Sequence, residues 1–167
     1  MAETWTAASL RAEIEAFLDA HHTVTLATVA DDGSAHAASL LYALDGLALV
    51  WTSDPGTRHS KQLESRPQVT ATIAPDYADF RAIRGLQIAG RASRLSGAEA
   101  RHARALLAGR YSFLSLLSAG PAALLAAWRN AAFYRIEPSR ITLIDNTRGF
   151  GHKATLLVQP DGETILA

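Results

Sequence analysis

The 167-residue chain contains no cysteine. That absence removes disulfides, thiolate metal ligands and cysteine nucleophiles together. An excess of charge is missing too: sixteen Lys and Arg balance sixteen Asp and Glu. A generally cationic nucleic-acid binder is thereby excluded, and any phosphate site has to be local. The start, "MAETWTAASLRAEIEAF", has acidic residues and no apolar h-region, which points away from a secretory signal and toward a cytoplasmic protein. The run from Tyr111 to Trp128 carries no formal charge and reaches the lower length limit of a membrane span. Its Gly120-Pro121 break and its serines, Ser118 among them, predict two short helices packed on protein instead. Internal repeats, low-complexity tracts and linkers are also lacking. With 49% hydrophobic and 19% charged residues, the chain reads as one domain over 1–167. A domain of that size buries roughly 70% of the surface its unfolded form exposes. All the basic residues except Lys61 and Lys153 are arginine, which suits bidentate carboxylate and phosphate contacts but also follows from codon usage.

What is present alternates more than it repeats at helical spacing. Leu10, Ile14, Phe17 and Leu18 predict an amphipathic helix over 9–21, with Ser9 as N-cap. "TVTLATVA" and "AHAASLLYAL" read as strands joined by a "DDGS" turn. A hairpin follows into "LALVWTS", with Asp45-Gly46 as a type I′ turn, so three strands of an antiparallel meander are expected. "QVTATIA" and "RGLQIAGRASRL" are two more strands, the second bent or bulged at Gly85 and Gly90. Residues 98–109 are helical by pattern, with Ala103, Leu106 and Leu107 on one side and Gly109 as the stop. "AAFYRIEP", "RITLID" and two short strands around Pro160-Asp161-Gly162 close the chain. Seven or more short strands without βαβ alternation predict an antiparallel barrel, mainly β with covering helices and a helical insertion at about 98–130.

The stretch "WTSDPGTRHSK", residues 51–61, runs from a strand into the first turn of a helix and loads that turn with Arg58, His59 and Lys61. A helix N-terminus already carries about half a positive charge, so cations there are unfavourable unless an anion joins them. Thr57 is placed as N-cap, and free backbone N–H groups, Arg58 and Lys61 could converge on one phosphate. The alternative is a solvated turn whose cations stay apart or pair with Asp54 or Glu64. "RGFGHK", residues 148–153, lacks the third glycine and the following helix of a dinucleotide fingerprint, yet its two glycines beside Arg148 and Lys153 suit a loop that approaches a ligand. Adjacent His21 and His22 lack the i, i+4 spacing of a helical metal pair, and no metal site is expected. Ser118 is outside any nucleophile elbow, and Trp5, Trp51 and Trp128 are too scattered for a base-stacking platform.

The succession "TVTLATVADDGSAHAASLLYAL", "LVWTSDPGTRHSKQLESRPQVTATI" and "RGLQIAGRASRL" resembles the FMN-binding split barrel of the pyridoxamine 5′-phosphate oxidase-like superfamily. The ending "FYRIEPSRITLIDNTRGFGHK" is similar, more closely, to the uncharacterised YhbP-type subfamily. The resemblance covers roughly residues 10 to 155. It implies a homodimer with FMN in two clefts between the protomers. It also implies cofactor contacts from His36, Ala37, Ala38, Ser39, Leu40 and Leu41, from Thr52 and Ser53, and from Arg58, His59 and Lys61. Gln87 would reach the flavin of the partner, and Arg148 falls near a ligand-contacting arginine. The oxidase proper has an Arg-x-His pair where this chain reads Arg148-Gly149-Phe150, and its substrate-phosphate cluster has no counterpart, so pyridoxamine phosphate oxidation is not implied. The insertion, with apolar Phe113, Leu114, Leu117 and Leu124, could shape a hydrophobic pocket, a dimer interface or core. The expected function is a cytoplasmic FMN-dependent oxidoreductase acting on an unidentified small molecule, with neither nucleic acid nor membrane as partner. The same barrel elsewhere holds the deazaflavin F420, or haem through a histidine such as His152. A carrier role without catalysis is a further alternative.

Overall fold

In the computed structural model, residues 5–116, 126 and 128–167 are described. Helix α1 (Ala7–Ala20) starts one turn earlier than the apolar spacing suggests. Thr6 is the N-cap, and Ser9 answers it as the N3 member of a capping box: Ser9 N donates to Thr6 Oγ1 at 3.0 Å and Thr6 N to Ser9 Oγ at 2.9 Å. Leu10, Ile14, Phe17 and Leu18 are buried, and the α1 C-terminus is satisfied from outside, by Arg110 donating to the carbonyls of Asp19 (2.8 Å) and His21 (2.7 Å).

Among the described residues, nine antiparallel strands form one curled sheet: β1 (Thr23–Val29), β2 (Ala35–Leu41), β3 (Ala43–Asp45), β4 (Ala48–Ser53), β5 (Gln68–Ile73), β6 (Arg84–Arg94), β7 (Ala132–Asp145), β8 (Lys153–Val158) and β9 (Thr164–Leu166). The order is β2-β1-β5-β6-β7-β4-β3, with β8 and β9 branching from the far half of β7. The expected meander is therefore corrected. "AHAASLLYAL" is two strands, β2 and β3, at opposite ends of the sheet path, and only Tyr42 lies between them. Two ends joined by one residue have to be adjacent, so the sheet closes on itself as a split barrel. Tyr42 is fully buried at this seam: its N–H donates to His22 O, its hydroxyl donates to Leu18 O at 2.7 Å, and burial raises its phenolic pKa.

The β3–β4 hairpin also differs from expectation. Asp45 pairs with Ala48, so the loop residues are Gly46 and Leu47, and Gly46 alone has a positive φ, +62°. A type I′ turn needs positive φ at both central residues; glycine at the first only is the type II′ pattern. "AAFYRIEP" and "RITLID" form one strand, β7, running through Pro138. Pro138 costs no ladder bond because β4 pairs as far as Ile136 and β8 begins at Arg140, and because the β6 register shifts there, opposite Gly90. Gly90 thus has the bulge expected of it. Gly85 has none, and instead lets the strand approach Ile73 O.

Two packed regions result among the described residues. The barrel interior holds Leu10, Ile14, Leu26, Trp51, Leu86, Ile141 and their neighbours, with α1 across it. The second lies on the opposite face of β3, β4 and the near half of β7, where α3 (Gly97–Arg110) and α4 (Ser112–Leu116) cover Ala43, Val50 and Phe133. Gly109 does not stop α3, which runs on to Arg110. Leu106 is only partly buried. Leu114 is core of this second region, whereas Phe113 is 46% exposed. Leu117, Ser118, Leu124 and the Gly120-Pro121 break lie outside the described residues. No described helix is long and apolar enough to cross a membrane.

Candidate functional site

The chain leaves β4 at Ser53, turns at Asp54-Pro55-Gly56 and enters α2 (Arg58–Ser65). Thr57 occupies the N-cap position with extended backbone, but its side chain caps nothing. Its hydroxyl instead donates to Asp54 O at 2.9 Å and sits 2.8 Å from Ser60 Oγ. The first-turn N–H groups of α2 are therefore left without a side-chain acceptor among the described residues. Arg58 and Lys61, three apart, share the exposed face of this turn. Neither pairs with Asp54 or Glu64. Arg58 donates to Ser34 Oγ at 3.4 Å and helps to lower the pKa of the exposed Asp32, while Lys61 has no partner among the described residues. Arg66, at the other end of the helix, is held by Asp31 (3.3 Å). The helix is fixed on the barrel by a buried hydrogen bond from Thr28 Oγ1 of β1 to Gln62 Oε1, 2.5 Å.

His59 is neither a third free cation nor a solvated side chain. It is buried, with Nε2 2.7 Å from Ser53 Oγ and 3.1 Å from Thr57 Oγ1, and its ring lies parallel to that of His36, centroids 6.2 Å apart. Burial, with a smaller contribution from the neighbouring His36, lowers its pKa from 6.5, so the ring is neutral near pH 7. Its role in this geometry is to tie the end of β4 to the first turn of α2. Because the unfolded state binds the proton more readily, this contribution is complete above about pH 6.5 and is lost as pH falls through the folded-state pKa. Denaturant unfolding followed from pH 7 to 5 should show wild type losing more stability than His59→Gln; equal slopes would remove the neutral-latch role.

The expected residues fall into three groups. His36, Thr52, Ser53, Arg58, His59 and Lys61 are brought together where β2, β4 and α2 meet. On β2, His36, Ala38 and Leu40 are half-buried, while Ala37, Ser39 and Leu41 are exposed on the outer face. Gln87 is elsewhere, on the outer face of β6, in a groove of about 430 Å³ with Thr25, Ala27, Thr70, Thr72 and Arg140. Arg148 is at the far end of β7. It lies 4.1 Å above the Trp5 ring and 3.7 Å from Asp145, a buried carboxylate also facing Arg84 at 3.3 Å. Arg140 was not legible in advance, since a lone arginine on a strand carries no motif.

The loop after β7 is built around Asp145-Asn146-Thr147. Asp145 accepts from Thr147 N and Oγ1, while Asn146 donates to Phe80 O (2.7 Å) and accepts from Gly151 N (3.1 Å). Positive φ at Gly149 (+141°) and Gly151 (+71°) lets this frame hold Phe150 outward, 85% exposed and edge-on to Phe80. His152 is half-buried, with Nε2 accepting from Trp5 Nε1 at 3.4 Å. Among the described residues no group of three or more His, Asp or Glu is placed to hold a metal ion.

Comparison with known proteins places these features. The family model described as pyridoxamine 5′-phosphate oxidase matches residues 10–145. A UPF0306 protein of Klebsiella pneumoniae (strain 342) is 32% identical over 143 residues, which is 85% of this chain and 89% of that protein. The UPF0306 protein YhbP of Escherichia coli O157:H7 is 29% identical over 142 residues, 84% of this chain and 88% of that protein. Among solved structures, the fold matches a heme binding protein from Mycobacterium smegmatis with a TM-score of 0.70 at 21% identity. That match covers 93% of this chain and 59% of the other.

Proposed function

The chain belongs to the pyridoxamine 5′-phosphate oxidase family, in its YhbP-type branch, and on that premise we propose that it is an FMN-binding oxidoreductase working as a cytoplasmic homodimer. The observation that carries this reading is the first turn of α2, with N–H groups that no side chain caps and two exposed cations that form no ion pair among the described residues. Such a turn is electrostatically unfavourable by itself and suited to a phosphate. Arg58 and Lys61 bind the phosphate of FMN in this reading, and the α2 amides donate to it. Thr52, Ser53 and the neutral His59 fix the strand that delivers the turn, and β2 from His36 to Leu41 offers backbone along the cofactor. Gln87 and Arg148 lie away from this cluster, so the contacts the family resemblance implies for them would come from the other protomer. FMN, when bound, supplies hydride chemistry at its ring, while the protein binds and orients it.

Haem is the second reading, favoured by the likeness in fold to the M. smegmatis heme binding protein. His152 is poorly disposed for it, since its Nε2 already faces the Trp5 N–H. F420 would need cations beyond Arg58 and Lys61 for its longer tail, and Arg66 is taken by Asp31. An absorption spectrum of the purified protein, with mass analysis of the molecule released on denaturation, separates these readings. Flavin bands and the mass of FMN are expected. A Soret band, a deazaflavin spectrum, or a colourless protein that takes up no flavin on titration would overturn the FMN assignment.

A further inference from the structure

Of the three titratable side chains in the first turn of α2, Arg58 and Lys61 are exposed and His59 is buried. Its Nε2 lies in a cradle of two hydroxyls, Ser53 Oγ at 2.7 Å and Thr57 Oγ1 at 3.1 Å. The Thr57 hydroxyl gives its proton to Asp54 O, so toward the ring it can only accept, while Ser53 can donate or accept. An Nε2–H therefore satisfies this cradle whether the ring is neutral or charged, and charging the ring breaks none of these hydrogen bonds. A carboxylate partner would instead favour the charged ring throughout, and a backbone N–H the neutral one. What keeps the ring neutral is its surroundings. It is desolvated, it faces His36 from β2, and it stands at the positive end of α2 between Arg58 and Lys61. From the turn, Asp54 directs its carboxylate to Gly56 N at 2.6 Å. Neither β1 nor β6 brings a charged partner to the ring among the described residues. A phosphate on this turn reverses the sign, because it brings a charge of about −1.5 to −2 to the same end of the helix.

We infer that an anion bound at the first turn of α2 draws a proton from solvent onto His59, so that cofactor binding there is coupled to proton uptake. The identity of the anion rests on the FMN reading. The coupling is reciprocal. Lower pH strengthens FMN binding relative to a protein without the imidazole, and bound FMN lets the charged ring keep β4 tied to α2. His59 is thus a positioning residue that answers to the phosphate without having to touch it.

FMN and riboflavin, which differ by the phosphate, are titrated calorimetrically into the purified protein freed of bound flavin, in buffers of different ionisation enthalpy. Wild type is expected to take up more protons with FMN than His59→Gln does, and riboflavin should show no such difference. Between pH 7.5 and 6 the ratio of their FMN affinities should move roughly threefold or more in favour of wild type, the limit for one proton being about tenfold per pH unit. Should His59→Gln not fold, the histidine ring resonances of wild type decide, with His59 expected to titrate at higher pH when FMN is bound. Equal proton uptake in wild type and His59→Gln, the same uptake with riboflavin, or a ring that titrates alike with and without FMN would overturn the coupling and leave the FMN reading standing. A protein that binds no FMN across this pH range would overturn both.

Discussion

Arg58→Ala is expected to bind FMN roughly 10- to 100-fold more weakly than wild type, the range for losing a charge-assisted hydrogen bond of about 1.5–3 kcal/mol. Its unfolding transition should be nearly unchanged, since Arg58 is exposed, its hydrogen bond to Ser34 is long at 3.4 Å and the nearby Asp32 is exposed as well. Two features set the size of the effect. Its charge forms no ion pair and is felt only by the exposed carboxylate of Asp32, so the phosphate is its main partner. The α2 amides and Lys61 remain in the variant, so binding is reduced and not abolished. The site is open to solvent, and the loss should therefore shrink as ionic strength rises and the Debye length falls below about 8 Å. Lys61→Ala should lose less, because a flexible ammonium contributes no bidentate geometry. Flavin fluorescence quenching at two salt concentrations checks all three. Equal affinity of Arg58→Ala and wild type would mean that the phosphate is not on α2.

That turn was legible because its signal is local: residue type, helix polarity and an exit from a strand all lie within eleven residues. His59 was not, although it lies in the same stretch. A histidine at the first turn of a helix reads as a surface group, and only the return of Ser53 and the approach of His36 from β2 bury it. The strands follow the same division. Alternation in "TVTLATV" and "QVTATI" marks both strands, although β1 ends with Thr28 buried and Val29 exposed. Alternation cannot show that "AHAASLLYAL" changes partners at Tyr42, because leaving one sheet edge for the other depends on how the whole barrel curls. Asp45-Gly46 misleads for a similar reason: the turn centre is set by the Asp45–Ala48 register and moves one residue along the chain. Arg140 is the extreme case. It lies in one groove with Gln87 only because β6 pairs with β7, and no local pattern in the sequence shows that.

Gly90→Ala should destabilise the protein by about 2–3 kcal/mol, the upper part of the range for overpacking a tight contact. A Cβ there would stand 2.2 Å from Glu137 O and 2.9 Å from Pro138 Cα, and both obstacles are backbone, so no rotamer change relieves them. A chain of this length should lose roughly 5–10 °C in Tm. The position is not strained in φ, so the cost is one of approach: β6 and β7 meet here at the register shift that accommodates Pro138. Relief requires the two strands to separate at the bulge. Gln87 lies three residues before it on β6 and Arg140 two residues after Pro138 on β7, and both line the outer groove. A separation large enough to admit a methyl group would change the spacing between them, whereas α2 is anchored through β1 by Thr28 and Gln62. Gly90→Ala is therefore expected to lose stability while the phosphate contacts of α2 stay in place. Thermal unfolding checks this, and a variant as stable as wild type would show that the Gly90–Glu137 contact is not as close as the register requires.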